Sequence, residues 1–179
     1  MGDLLLISGR PGVGKTTLLR RLAQELQDRV DGFYTEEIRE HGGRVGFRLV
    51  TLDGSAEVFA HVRWRNRPHR VGRYGVDLEV LDRLGVVAIR RAVKAGKVVL
   101  IDEIGKMELE SAAFRTALEE AIRSPSVVVA TALATPHPLV DAIRRRPGCT
   151  ELPLTPANRE EVFRDALQWI HRRCPIPGP

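Results

Sequence analysis

Short apolar runs alternate with amphipathic stretches along most of this chain. Asp3–Ser8 is almost continuously apolar, as a strand buried on both faces would be. Thr16–Gln27 then carries Leu18, Leu19, Leu22, Ala23 and Leu26 at helical spacing. Gly32–Arg39 reads as a second strand. His41-Gly42-Gly43 and Asp53-Gly54-Ser55 are turn signals, leading into strands at Arg44–Leu52 and Ala56–Val62. The expectation is an antiparallel meander over about 32–62, inserted after the second strand. Arg63–Gly75 reads as a loop, and Asp77–Ala95 as a helix ended by Gly96. Lys97–Asp102 has the continuous apolar character of a central parallel strand. Leu109–Arg123 is amphipathic, Ser126–Thr131 is another buried strand, Pro138–Arg145 a short helix and Thr150–Leu154 an edge strand. Thr155-Pro156 suits a helix start, with a last helix running to about Arg172. This alternation predicts an α/β fold with a mainly parallel sheet and helices on both faces.

The 179-residue length suits one domain, expected over residues 1–174, with 175–179 as a loose tail. No apolar run approaches the roughly 20 residues of a membrane span. A core strand is expected within a few residues of the first residue given, so no signal peptide is expected. Cys149 and Cys174 have no metal-ligand spacing and suit reduced thiols in a cytoplasm. Net charge is +5, and of 28 basic residues only four are lysine. That bias, with few Asn, Gln, Met and Cys, points to a thermophile or a GC-rich genome.

Chemistry concentrates in two places. The first is Gly9-Arg10-Pro11-Gly12-Val13-Gly14-Lys15-Thr16, followed by Thr17. It fits the phosphate-binding pattern G-x-x-x-x-G-K-[ST], between a buried strand and a helix as that pattern requires. Glycines let the backbone wrap a phosphate, and successive N–H groups at a helix N-terminus face the anion. Lys15 adds a point charge at the β- and γ-phosphates, and the Thr16 hydroxyl can ligate Mg²⁺. The second is Val98–Glu103, an apolar strand carrying Asp102 to the sheet edge where ligands of open α/β sheets gather. Asp102 is the expected Mg²⁺ partner, and Glu103 the carboxylate that orients a water and accepts its proton.

Other residues are ambiguous on sequence alone. Lys106 either contacts the γ-phosphate or substrate, or makes a surface ion pair. Glu108 is expected at the start of the following helix. The stretch around 63–75 offers Arg63, Arg65, Arg67, Arg70 and Arg73 with no acid among them. Arg73, flanked by Gly72 and Gly75, is the preferred source of transition-state charge. The alternatives are a solvated basic loop, or a nucleic-acid surface with Trp64 and Tyr74 as stacking platforms. Thr131 either senses the γ-phosphate and its water or simply ends a strand. Arg159 either reaches the base or ribose or is a solvated surface residue.

GRPGVGKTT at 9–17, GFYTEEIRE at 32–40, VGRYGVD at 71–77 and DEIGKMEL at 102–109 together resemble the THEP1 family of small P-loop nucleoside triphosphatases. The resemblance runs in order through nearly the whole chain. It implies a three-layer RecA-like or ASCE-type sheet, with another strand between the phosphate-loop strand and the Asp102 strand. It also implies Mg²⁺-dependent hydrolysis of several NTPs with weak base selectivity. Residues 9–16 would bind phosphate, Asp102 serve the metal and Glu103 activate water. Two other functions compete: a kinase passing the γ-phosphoryl to a small molecule or polynucleotide, and a nucleotide switch or nucleic-acid-binding protein with slow hydrolysis.

Overall fold

The computed structural model describes residues 2–174, so the expected tail at 175–179 lies outside the described residues. Nine strands form one mixed sheet: β1 (Leu4–Gly9), β2 (Val30–Glu40), β3 (Gly43–Thr51), β4 (Ala56–His61), β5 (His69–Val71), β6 (Tyr74–Val76), β7 (Val98–Ile104), β8 (Val128–Leu133) and β9 (Cys149–Pro153). Their order is β5-β6-β4-β3-β2-β7-β8-β1-β9. From β2 to β9 neighbouring strands are parallel, while β2 through β6 pair antiparallel. β8 lies between β1 and β7, as the family resemblance implied, and the expected meander is β2-β3-β4.

Alternation along the parallel strands divides the core in two. Leu5 and Ile7 of β1 and Val98 and Leu100 of β7 pack with helices α1 (Lys15–Leu26) and α6 (Arg159–Arg173). Leu4, Leu6, Val99 and Ile101 pack on the other face. That face is covered by α2 (Leu78–Val80), α3 (Val87–Lys94), α4 (Ala112–Arg123) and α5 (Pro138–Arg144). The run from α2 to α3 is continuous and helical, with a π-helical stretch at Leu81–Val86. No helix among the described residues is long and apolar enough to cross a membrane.

Three elements differ from the expectations. The stretch 63–75 is not a simple loop, because β5 and β6 form a hairpin that extends the meander. Leu109 does not start α4. Glu108–Glu110 is a 3₁₀ turn, and Ser111 caps the helix by accepting a hydrogen bond from the Phe114 N–H at 3.0 Å. Thr155 is not the cap of α6. Its N–H donates to Asn158 Oδ1 at 2.7 Å, and Asn158 is the residue before the helix. That turn uses up Thr155-Pro156 before helical geometry begins.

Candidate active site

The turn from β1 to α1 is the phosphate loop. Gly12 and Gly14 have φ of 79° and 110°, a left-handed backbone that a side chain would strain. Arg159 braces the loop from α6, with Nε donating to the Val13 carbonyl at 2.9 Å. This arginine therefore supports the loop backbone in the structure.

Lys15 is buried. Its ammonium donates to the carbonyls of Gly9 at 2.8 Å and Arg10 at 3.2 Å. It lies 4.0 Å from Glu103 Oε2. Asp102 shares strand parity with Val98 and Leu100, so the pleat aims it at the α1 face and Thr16. Its carboxylate is 2% exposed and closely held. Oδ2 accepts from the Thr16 hydroxyl at 2.7 Å and the Thr35 N–H at 3.2 Å, while Oδ1 accepts from the Thr131 hydroxyl at 2.6 Å. Thr131 is fully buried and orients Asp102.

Glu103 and Glu108 flank Gly105. A Cβ on that glycine would stand 2.7 Å from Glu103 Oε1 and 3.0 Å from Glu108 Oε2, so a larger residue there would push the two carboxylates aside. Burial, reinforced by the charge of Asp102 and opposed by Lys15, pushes Glu103 up to about 7. Burial and the Glu103 charge raise Glu108 well above the usual carboxylate range, although N–H donation from Gly105 and its own backbone opposes this. Sequence reasoning missed Glu108 as a site residue, because its burial depends on the turn after β7. Sequence signals existed in Gly105 and in its place inside DEIGKMEL.

Lys15, Thr16, Thr35, Asp102, Glu103 and Glu108 line one cavity of about 730 Å³, with Pro11, Gly12, Gly14, Thr17 and Arg20 at the loop end and Lys106 on the rim. Its far wall is the meander, through Glu37, Arg39, Arg44, Phe47, Phe59 and Val71. A groove of about 710 Å³ between α4 and α5, on the other side of the sheet, holds none of the phosphate-loop residues.

Arg73 is not brought to the cavity wall. Its Nη2 donates to the Arg44 carbonyl and, at 3.3 Å, to the Tyr74 hydroxyl. Arg44 stands in front of it, with Nη1 3.1 Å from Glu37 Oε1. Arg70 ties the hairpin together by donating to the carbonyls of Trp64 at 3.3 Å, Arg65 at 2.8 Å and Arg73 at 3.4 Å. Arg67 pairs with Asp77 at 3.1 Å and lies over the Trp64 ring. Tyr74 is buried against Phe47, not available for stacking on a base. Arg63, Arg67, Arg70 and Arg73 thus have partners within the chain, while all five arginines of 63–75 stay exposed at the surface.

The NTPase family matches residues 4–167. Nucleoside-triphosphatase THEP1 of Thermotoga petrophila is 43% identical over 163 residues, covering 91% of this chain and 90% of that protein. Human cancer-related nucleoside-triphosphatase is 36% identical over 95% of this chain and 97% of its own. The crystal structure of THEP1 from Aquifex aeolicus superimposes with a TM-score of 0.84 at 37% identity, covering 94% of this chain and 99% of that one.

Proposed function

The chain belongs to the THEP1 family of nucleoside-triphosphatases, hydrolases that act on NTPs, and from that premise we propose Mg²⁺-dependent hydrolysis of NTPs to NDP and phosphate. The observation that carries the reading is the convergence of Lys15, Thr16, Asp102 and Glu103 in one cavity. The phosphate-loop N–H groups and Lys15 address the phosphates, which all NTPs share. That is the basis for weak base selectivity.

The Thr16 hydroxyl and Asp102 carboxylate fit Mg²⁺ by their chemistry. They are hard oxygen donors 2.7 Å apart at the cavity wall, and Mg²⁺ commonly takes few protein ligands beside water and substrate phosphates. When bound, the ion would neutralise charge on the β- and γ-phosphate oxygens. Thr35 and Thr131 keep Asp102 from turning away.

Glu103 holds the attacking water and accepts its proton as the water oxygen bonds to the γ-phosphorus. The bond from the γ-phosphorus to the bridging oxygen breaks, and its electron pair leaves with the NDP. Lys15, beside Glu103, meets the developing charge, and Lys106 does so from the rim. Cys149 and Cys174 are free thiols, in keeping with a cytoplasmic setting.

Glu103→Gln tests the reading. The amide keeps the shape, and Asp102 keeps its place. The variant should bind NTP normally and lose phosphate release by about 100-fold or more in a single turnover. Single-turnover release near the parent rate would remove Glu103 from this role.

A further inference from the structure

The cavity is lined by residues of the meander as well as by the phosphate loop. Lys15 marks the β- and γ-phosphate end of a bound NTP. A triphosphate with its γ-phosphoryl at Glu103 runs away from Glu103 towards its nucleoside. Beyond Glu103 the cavity nevertheless continues to the meander, where the partly exposed Phe47, Val71 and Met107 form an apolar wall backed by the buried Phe59. Phosphate has no use for such a wall. The Arg44 guanidinium lies 5.0 Å from the Phe47 ring centroid, a flat and partly cationic surface. Glu37 stands at its edge, its carboxylate held by Arg44 at 3.1 Å and Arg39 at 2.7 Å. Flat apolar molecules bind such walls, and a fixed carboxylate accepts hydrogen bonds from hydroxyls.

We propose that this compartment binds a second substrate, a hydroxyl-bearing molecule with a flat apolar body and about the size of a nucleoside. The γ-phosphoryl passes to its hydroxyl. The step rests on the NTPase reading and uses the same Glu103. The acceptor hydroxyl gives its proton to Glu103, and its oxygen bonds to the γ-phosphorus. The bond to the bridging oxygen breaks, and that electron pair leaves on the NDP. The products are a phosphomonoester and an NDP, and Glu103 returns the proton to solvent. Water takes the same position when the compartment holds no acceptor.

The experiment uses the full chain, γ-labelled ATP with Mg²⁺, and each of the common nucleosides in turn, with glycerol as a non-planar alcohol. Labelled nucleoside monophosphate should form saturably, about tenfold above glycerol phosphate at equal concentration. Val71→Trp fills the compartment from β5. It should keep acceptor-free phosphate release within about twofold and lower transfer about tenfold or more. Glu37→Gln keeps the wall packing and should raise the nucleoside KM while leaving the ATP KM unchanged. Phosphate release without any labelled nucleoside phosphate overturns the acceptor site and leaves the hydrolase standing. Equal transfer to glycerol overturns it as well. So does a rise in ATP KM in Val71→Trp, which would place the ATP base in this compartment. Absence of both labelled products overturns the hydrolase reading itself.

Discussion

Three carboxylates within seven residues of chain have different environments, and the differences bear on the proposed hydrolysis and on stability. Asp102 is clamped by Thr16, Thr35 and Thr131. Glu103 is held at about 7 by burial and the Asp102 charge, against Lys15. It accepts a proton only when ionised. kcat/KM, which reports the free enzyme, should therefore fall about tenfold per pH unit below about 7 and level off above. A pH–rate series with one NTP checks this, and a flat profile between about pH 5 and 8 would contradict it. Glu108 has the opposite consequence for stability. A carboxyl raised in the folded state binds more protons there than when unfolded. Its contribution is fully present below the unfolded value and is lost as pH rises through the raised folded one. Glu108→Gln cannot ionise, so its melting temperature relative to the parent should be higher at about pH 8 than at about pH 5. Thermal melts of both proteins at the two pH values measure it. Lys15, Thr16, Asp102 and Glu103 were legible in the sequence because their chemistry is local: a loop, a helix start and a strand end. Glu108 was not, because only the fold turns it inward beside Gly105. Arg159 brings its guanidinium to the Val13 carbonyl 146 residues away in sequence, a contact no local pattern specifies.

At the scale of elements, patterned segments were legible, down to the seven-residue α5 and the five-residue β9, while the three-residue strands were not. α1, the buried parallel strands and the meander follow from runs of six or more patterned residues. β5 and β6 have three residues each, embedded in a stretch rich in Arg and Gly. Their pairing comes from Arg70 closing on three carbonyls and from Tyr74 entering the core. That hairpin alters the reading of Arg73. Glycine flanks suggested a loop reaching for the nucleotide, whereas the guanidinium supports Arg44 and Tyr74. Lys106, on the turn after β7, lines the cavity. Lys106→Ala should accordingly lower kcat about tenfold, with Arg73→Ala within about threefold of the parent. Steady-state kinetics on the two variants decides between them, and the reverse order would restore Arg73 as the charge donor.

For the whole molecule, the question is what joins the inserted meander to the P-loop core. β2 belongs to both, because it pairs parallel with β7 and antiparallel with β3. The sheet is thus continuous, and residues of both parts line the one cavity. Fold class was legible from the alternation of strands and helices, but strand order was not, because parallel pairing leaves no mark at the connecting turns. Arginine-rich composition shows its use at this scale. Arg90 and Glu120 pair at 3.0 Å between α3 and α4, both about half exposed. Such pairs contribute about 0–1 kcal/mol each. Arg91 is placed differently. It reaches Asp31 of β2 at 2.5 Å and Asp53 of the β3–β4 turn at 2.7 Å, tying helix, central sheet and meander together. Asp31 is 7% exposed, and its Oδ1 also accepts the Gly32 N–H at 2.7 Å. Removing Arg91 leaves a buried carboxylate with one remaining donor, the situation that makes breaking a buried pair costly. Arg91 itself is 38% exposed, so solvent screens part of the pairing. Arg91→Ala should therefore cost about 2 kcal/mol, less than the roughly 3–5 kcal/mol of a fully buried pair. Arg90→Ala should cost about 0.5 kcal/mol. Urea unfolding of the two variants at low and high salt measures both. Added salt should erase the Arg90 effect and leave most of the Arg91 effect, since the Asp31 carboxylate lies where ions penetrate poorly. Equal costs for the two variants would mean that the meander is held by the β2–β7 pairing and packing alone.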